Sequence, residues 1–294
     1  MRRRSERIFA FTFLAPAVSI YAIFVIWPLL QAFDFSLYRW RGVSLQRTFI
    51  GLKNFIDLVH DTAFHKAVQN NLVLLFVGGF FCLLLAIIVA HALQGRTTGA
   101  KMLRGIVLVP QMLSLAVVAI LWQFIFSPDI GLLTSGMHAL HLDKYVHTWL
   151  GESKTALGAV GIAFVWWAAG FYVMLFSAAL RGIPEEVKEA AELDGAIGLK
   201  RFWRVTWPML WSIKRVCVVH LTITVMNVFV LVYLMTNGGP DRASETMLTY
   251  LYENAFKNFE FGYATAIAVV NFVVVMGLSG LILFMFRRNP EASR

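Results

Sequence analysis

The chain has 294 residues, of which 59% are hydrophobic and 15% are charged, and its formal net charge is +9. Soluble domains average roughly 25% charged residues, so this composition argues against a soluble globular protein and indicates a membrane protein. The positive charge does not require nucleic acid as a partner, because Lys and Arg beside membrane spans set topology and contact anionic headgroups.

Charged residues are absent from six long segments, each of 24 residues or more. About 20 helical residues cross the hydrocarbon core of a bilayer. The segments lack the alternation of barrel strands, and backbone groups in lipid must pair within their own segment. We therefore predict an all-α membrane protein with six transmembrane helices. The segments are Ile8–Phe33, Ala67–Gly95, Gly105–Pro128, Thr155–Leu180, Val216–Pro240 and Phe261–Phe286.

The predicted helices divide the chain into three parts. Residues 1–66 hold an N-terminal tail, the first helix and an external loop, residues 67–286 hold the five core helices, and residues 287–294 form a tail. The first apolar run exceeds the 7–15 residues of a signal-peptide core, which predicts an uncleaved helix. Because 17 of the 26 Lys and Arg fall on the N-terminal side of the membrane, we expect both termini to be cytoplasmic.

The predicted spans contain no Asp, Glu, Lys or Arg, which argues against a proton-coupled carrier and an Arg-rich voltage sensor. The chain also lacks a phosphate-binding G-x-x-x-x-G-K-[ST] loop and an H-E-x-x-H zinc helix, so ATP, if used, is bound by another subunit. Cys82 and Cys217 lie in apolar segments and predict neither a disulfide nor a metal site. His91 and His220 have no carboxylate partner in the spans, so we do not expect an enzyme.

Uncharged polar residues line one face of the fifth predicted helix. His220, Thr224 and Asn227 follow the spacing i, i+4, i+7, and Leu231 continues the stripe. On the fourth helix, Trp166 begins a similar stripe, and Tyr172 lies nearby. Such residues are found in ordinary helix packing, but together they would also suit a neutral hydroxylated solute with apolar ring faces.

The longest cytoplasmic loop, residues 181–215, predicts two short helices. Pro184 suits a first helical position, acidic residues follow in the first turn, and Asp194-Gly195 ends the first helix. Pro208 is expected to end the second, basic helix before the fifth span. The loop could insert into a groove on another protein, or it could lie on the lipid surface.

Two stretches resemble a known family. EAAELDGA at 189–196, followed by Phe202, Val205 and Pro208, resembles the EAA loop of the membrane subunits of bacterial ATP-binding cassette (ABC) importers. Residues 236–270, from TNGGPD to TAIAVV, resemble the carbohydrate branch related to maltose and glycerol-3-phosphate permeases. In two places the sequence departs from the pattern: Trp207 replaces an aliphatic residue, and Ser212 stands where relatives often carry proline.

The resemblance implies a type I ABC importer permease fold and a role as the membrane-spanning subunit of an ATP-driven sugar importer. An alternative is the same architecture importing a polyol or a glycerol phosphodiester. Implied partners are two ATPase subunits that bind ATP and Mg²⁺, a second and different permease chain, and an external solute-binding protein, all at the bacterial plasma membrane.

The resemblance also implies two sets of functional residues. The ATPase-coupling set is Glu189, Ala190, Ala191, Asp194, Gly195 and Phe202. The solute site is expected on the helices that flank the loop, and its candidates are Trp166, Tyr172, His220, Thr224 and Asn227.

Overall fold

A computed structural model of the chain describes residues 2–44, 46–94 and 98–287. Three sequence-based expectations fall outside these residues: Gly95, the last residue of the second predicted segment, Arg96, which was counted for topology, and all but the first residue of the tail 287–294.

The N-terminal part contains three helices and a short hairpin. Helix α1 runs through Arg2–Tyr21, a π-helical turn at Ala22–Ile26 and Trp27–Phe35. The antiparallel hairpin of β1 (Tyr38–Arg39) and β2 (Thr48–Phe49) precedes α2 (Lys53–His60) and α3 (Thr62–Ala92). The helices that follow, in chain order, are α4 (Thr98–Met112), α5 (Leu115–Ile125), α6 (Leu132–Ala139), α7 (Ala156–Arg181), α8 (Glu185–Leu193), α9 (Leu199–Met209), α10 (Trp211–Met226), α11 (Val230–Thr236), α12 (Met247–Tyr252) and α13 (Phe261–Met285).

Four of the described helices are long and apolar enough to cross a bilayer: Thr12–Phe35 within α1, together with α3, α7 and α13. Two further pairs pass the same test only together, α4 with α5 and α9 with α10, and they are bent by 106° and 70°. The described residues therefore provide four candidate spans, or up to six if each bent pair counts as one. The predicted helices at 155–180 and 261–286 agree with α7 and α13 to within one residue at each end.

The third predicted segment is not one straight helix. Helix α4 ends at Met112, and Ser114 adopts an extended conformation (φ −65°, ψ 146°) in which its Oγ accepts a hydrogen bond from the N–H of Val117. Serine is favoured in this N-cap position because its hydroxyl satisfies an unpaired N–H of the first turn. The bend follows from a new helix that starts at Leu115.

The fifth predicted segment, Val216–Pro240, contains a break. Helix α10 ends at Met226, and the next helix, α11, begins only at Val230. Asn227 leaves helical geometry (φ −103°, ψ 18°), and its Nδ2 turns back to donate to the Ile223 carbonyl at 2.8 Å. Leu231 therefore does not continue the polar stripe of α10, which corrects the prediction.

Three predicted boundaries also shift. The second predicted segment, 67–95, corresponds to α3, which begins earlier, at Thr62, and ends at Ala92. Pro184 caps α8 from outside, with an extended ψ of 143°, so Glu185 is the first helical residue. Pro208 does not end the second loop helix, because α9 continues through a π-helical turn at Phe202–Thr206 and past Pro208 to Met209. The bend comes at Leu210 instead.

Contacts within the chain define two compact units, one formed by Met1–Asp61 and Leu251–Phe272, the other by Thr62–Tyr250 and Val273–Arg294. In the first unit, the side-chain amide of Asn54 donates to the carbonyls of Ser36 and Tyr38 at 2.7 and 3.1 Å, which ties α2 to the hairpin. The apolar window of α1 buries none of its residues within the chain, as expected of a helix whose contacts are lipid or another protein.

The core of the second unit lies between α3 and α7. Cys82 and Ala86 on α3 and Val160 and Ala163 on α7 are completely buried. Small residues allow this close approach. Helix α4 also approaches α7 closely, at Gly170, where an added Cβ would lie 2.5 Å from the Val107 carbonyl oxygen.

Hydrogen bonds order the segment before α7. The backbone N–H and the hydroxyl of Thr148 both donate to Glu152 at 3.0 Å and hold the pKa of that carboxyl below its usual value. The Thr155 hydroxyl donates to the Trp149 carbonyl at 2.8 Å, immediately before the helix begins at Ala156. The start of the helix is therefore well defined.

Candidate functional site

His220 and Thr224 lie on α10, and Asn227 caps its C-terminal end. We call these three residues the polar stripe. His220 and Asn227 are exposed and Thr224 is half-buried. The Thr224 hydroxyl donates to the His220 carbonyl at 2.9 Å, in the same way that Asn227 donates to Ile223. Thr224 and Asn227 thus each use a side-chain donor on their own helix, and their spacing places them on one face, which ends where the helix breaks.

Tyr172 supports this stripe from beneath. The tyrosine is 1% exposed, and its hydroxyl lies 3.1 Å from Nδ1 of His220. The imidazole also lies against the ring of Phe171, with centroids 4.6 Å apart and planes inclined by 32°. The structure thus brings Tyr172 to the α10 stripe, and it adds Phe171, which sequence reasoning missed. Its adjacency to Tyr172, one step around the helix, was the available signal.

Trp166 lies elsewhere on α7. Six residues separate it from Tyr172, which places the two about 120° apart around the helix axis. Trp166 packs edge-to-face against Trp122, with centroids 5.8 Å apart, and it lines an apolar groove of about 640 Å³ between α3, α5 and α7. In the described part of the chain, Trp166 is therefore separate from the polar stripe.

Two adjacent asparagines on α3 hold the chain beyond the break. Asn71, which is completely buried, donates to the Val225 carbonyl at 3.1 Å and accepts from the Met247 N–H at 2.8 Å. Asn70 donates to the carbonyls of Arg242 and Glu245 at 3.2 and 2.8 Å. The end of α10 and the start of α12 are thus fixed to one helix.

These asparagines and Glu245 are positioning residues that the sequence analysis did not identify. Glu245 is 3% exposed and pairs with the guanidinium of Arg242. An adjacent Asn-Asn pair inside an apolar segment was a usable signal, because buried amides require partners.

The loop at residues 181–215 has the predicted helix-turn-helix form. Helix α8 ends at Leu193, Asp194 follows as its cap, and Gly195 enters the left-handed region at φ +68°. Glycine is favoured there because it has no Cβ to clash with the backbone. The Ala196 N–H donates to the Ala191 carbonyl at 2.8 Å, which closes the C-terminal turn.

The predicted coupling residues divide between the two faces of the loop. Glu189, Ala190, Asp194 and Gly195 are exposed. In contrast, Ala191 is 5% exposed, and Phe202 packs against the His91 ring at 5.3 Å between centroids. Phe202 therefore holds the loop to the core, and Ala191 is buried.

The outer face of the loop carries large apolar side chains that sequence reasoning did not assign to it. Leu193 is 90% exposed, Ile197 70% and Leu199 77%. A cluster of exposed apolar residues next to exposed acids is typical of a protein interface. The spacing of these three residues around the Gly195 turn was the available signal.

Comparison with known proteins places the chain among transport proteins. Residues 82–288 match the family described as binding-protein-dependent transport system inner membrane component. The chain is 35% identical to the probable ABC transporter permease protein YurN of Bacillus subtilis, over 97% of this chain and 98% of the relative. It is 34% identical to the diacetylchitobiose uptake system permease protein NgcF of Streptomyces coelicolor, over 95% and 82%.

A solved structure has a similar fold. It is the crystal structure of a bacterial alginate ABC transporter in complex with an alginate pentasaccharide-bound periplasmic protein. One of its chains superposes with a TM-score of 0.84 at 23% identity, and the match covers 98% of this chain and 96% of that chain.

Proposed function

Because this chain belongs to the family of binding-protein-dependent transport system inner membrane components, we propose that it forms half of the pathway of an ATP-driven sugar importer. The polar stripe of α10 carries this proposal. Its amide, hydroxyl and imidazole groups can pair with sugar hydroxyls, and aromatic rings nearby can contact the apolar faces of a sugar ring. Two similar proteins support a carbohydrate substrate. One is the relative named for diacetylchitobiose uptake, and the other is the transporter solved with an alginate-bound protein.

The alternatives of a polyol and a glycerol phosphodiester differ in their chemistry. A phosphodiester would be held best by Arg or Lys, whereas the candidates on α7 and α10 are Trp166, Tyr172, His220, Thr224 and Asn227. A polyol has hydroxyls but no ring face to lie against Phe171. We therefore favour a sugar or an oligosaccharide.

We propose that the chain crosses the bacterial plasma membrane six times, with both termini in the cytoplasm. The two bent pairs would each count as one crossing, and the excess of Lys and Arg on the N-terminal side supports the orientation. This topology would place the α8–α9 loop in the cytoplasm, where ATP is available.

We propose that the α8–α9 loop inserts into a separate ATPase subunit. The exposed Glu189 and Ala190 and the apolar Leu193 and Ile197 form the surface that would be buried there. A short helix with few anchors is a common way to dock into a groove. ATP and Mg²⁺ would be bound entirely by two such ATPase subunits.

The mechanism proposed is alternating access. Closure of the ATPase pair would move the docked loop, the loop would move α10 as a rigid element, and the stripe would open to the other side. A second, related permease chain would supply the other half of the pathway, and an external binding protein would deliver the sugar.

The assembly can be tested directly. Purification of the full chain in mild detergent should recover an ATPase, a second permease and, in the presence of substrate, an external receptor that retains specific glycans on an array. Recovery of a complete complex whose receptor retains only phosphodiesters would contradict the sugar proposal. Uptake of solute by the chain alone in liposomes would contradict the need for an ATPase.

Replacing Asn227 with leucine is expected to reduce uptake while complex assembly stays normal. Loss of one or two hydrogen bonds to a sugar corresponds to a reduction of about three- to tenfold. The measurement is uptake of the radiolabelled glycan retained by the receptor, in proteoliposomes that contain the whole complex.

Two threonines on α10 provide a matched control for this prediction. Thr224 on the stripe and Thr222, which is 1% exposed, each donate to the carbonyl four residues earlier. Thr224→Val should reduce uptake, and Thr222→Val should not. Equal uptake by wild type, Asn227→Leu and Thr224→Val would make the stripe a packing surface.

A further inference from the structure

The cytoplasmic loop joins the helix of the polar stripe through a sharp bend. Helix α9 ends at Met209, α10 begins at Trp211, and their axes differ by 70°. Leu210 at the corner is 1% exposed and has φ −84° and ψ 10°. A bend of this kind transmits motion only if its angle is maintained, and side chains that bridge the bend can maintain that angle.

Lys214 bridges the bend. From the first turn of α10 its Nζ reaches back to the Trp207 carbonyl at 2.8 Å. The same Nζ lies 4.1 Å from the centroid of the Trp207 ring and 5.3 Å from that of Trp211. Trp207 belongs to the last turn of α9, where carbonyls lack the usual N–H partner and favour a cation. Lys214 therefore supplies both a donor and a charge to the end of the preceding helix.

Lys214 is buried, so its contacts must compensate for the desolvation of its ammonium group. Its residue exposure is 9%, and a buried ammonium is unfavourable unless it is hydrogen-bonded or faces other compensating groups. Cation–π contacts strengthen when water is excluded. A hydrophobic side chain would fill the same space at lower desolvation cost, so packing alone does not account for a lysine at this position.

The bend is also connected to the C-terminal end of the last candidate span. The indole Nε1 of Trp211 donates to the Phe286 carbonyl at 3.3 Å, and the rings of the two residues lie 4.6 Å apart. One face of Trp211 is thereby held while Lys214 lies near its ring. The bend is thus held to α9 through Lys214 and to Phe286 through Trp211.

We propose that Lys214, Trp207 and Trp211 form a clasp that maintains the angle between α9 and α10 and so transmits loop movement to Thr224 and Asn227. The inference rests on the proposed function, because it assigns a positioning role within the same transport cycle. Trp207 stands where the resembling loops have an aliphatic residue, so the ring that the clasp requires is a feature of this chain. Lys214 and the rings would not contact the sugar.

The test uses the complete complex in proteoliposomes, with ATP hydrolysis and uptake of the receptor-retained radiolabelled glycan measured on the same samples. Lys214→Met is expected to lower glycan uptake per ATP hydrolysed by about tenfold, because both the charge and the donor are lost. Lys214→Arg, which keeps both, should retain most of the wild-type ratio. Lys144→Met, at an exposed lysine outside the loop, should leave the ratio unchanged.

A second series varies the ring while the lysine stays. Trp207→Phe should lower the ratio less than Trp207→Leu, since the smaller ring keeps a π face. An unchanged ratio in Lys214→Met or Trp207→Leu overturns the clasp, and so does equal loss of assembled complex in Lys214→Met and Lys214→Arg, which would indicate a purely structural lysine. If instead the wild-type complex does not couple ATP to uptake, the proposed function itself fails.

Discussion

Glu189→Lys is expected to abolish the stimulation of ATP hydrolysis by solute in the assembled transporter, while the chain still inserts and folds. Glu189 is exposed on α8, so the change removes no internal contact that would be needed for folding. Reversal of a charge inside a docked interface costs on the order of tenfold or more in binding. The measurement is ATPase activity of the reconstituted complex with and without the loaded binding protein.

Two variants accompany this experiment. Glu189→Gln keeps the size of the side chain and should show an intermediate defect. Asp129→Lys makes the same change of charge at an exposed turn between α5 and α6, outside the loop, and should behave as wild type. Full stimulation in Glu189→Lys would exclude the exposed face of α8 as the ATPase contact.

Asn71→Leu should strongly destabilise the transporter. The substitution nearly preserves volume but leaves the Val225 carbonyl and the Met247 N–H without the amide that now binds both. Two buried polar groups without partners cost roughly 2–6 kcal/mol together. We expect a clearly lower midpoint of thermal unfolding in detergent and a smaller yield of assembled complex.

Asn258→Leu is the matched control for this experiment. Asn258 is exposed, and its amide donates to Oδ1 of the buried Asn254 at 3.2 Å. The same substitution therefore removes one partly solvated contact and should shift the unfolding midpoint less than Asn71→Leu does. A wild-type midpoint in Asn71→Leu would show that the contacts of Asn71 do not hold the end of α10 in place.

Local features of the sequence were sufficient to predict the backbone conformation where hydrophobicity or a single residue determines it. Helices α7 and α13 follow directly from uninterrupted apolar segments, because lipid leaves the backbone no partner outside the helix. The end of α8 follows from Gly195, which takes a left-handed conformation at little cost. The shared face of His220, Thr224 and Asn227 follows from helical spacing alone.

Features that depend on distant contacts could not be predicted in this way. The apolar segment 216–240 contains no proline before Pro240, yet the chain leaves the helix at Asn227, and Asn71 binds both sides of the break from more than 150 residues away. Likewise, Trp166 and Tyr172 look equivalent as aromatic residues on one helix. Only the packing of α3, α5 and α10 around α7 assigns one to an apolar groove and the other to His220.

The class of the protein, the long helices and the form of the 181–215 loop could therefore be predicted from the sequence, because these depend on composition and on interactions within a few residues. The tertiary structure decided where α10 breaks, how α9 and α10 bend around Lys214, and which loop side chains face outward. The physical reason is that buried polar groups must find partners, and those partners are brought close only when the helices pack.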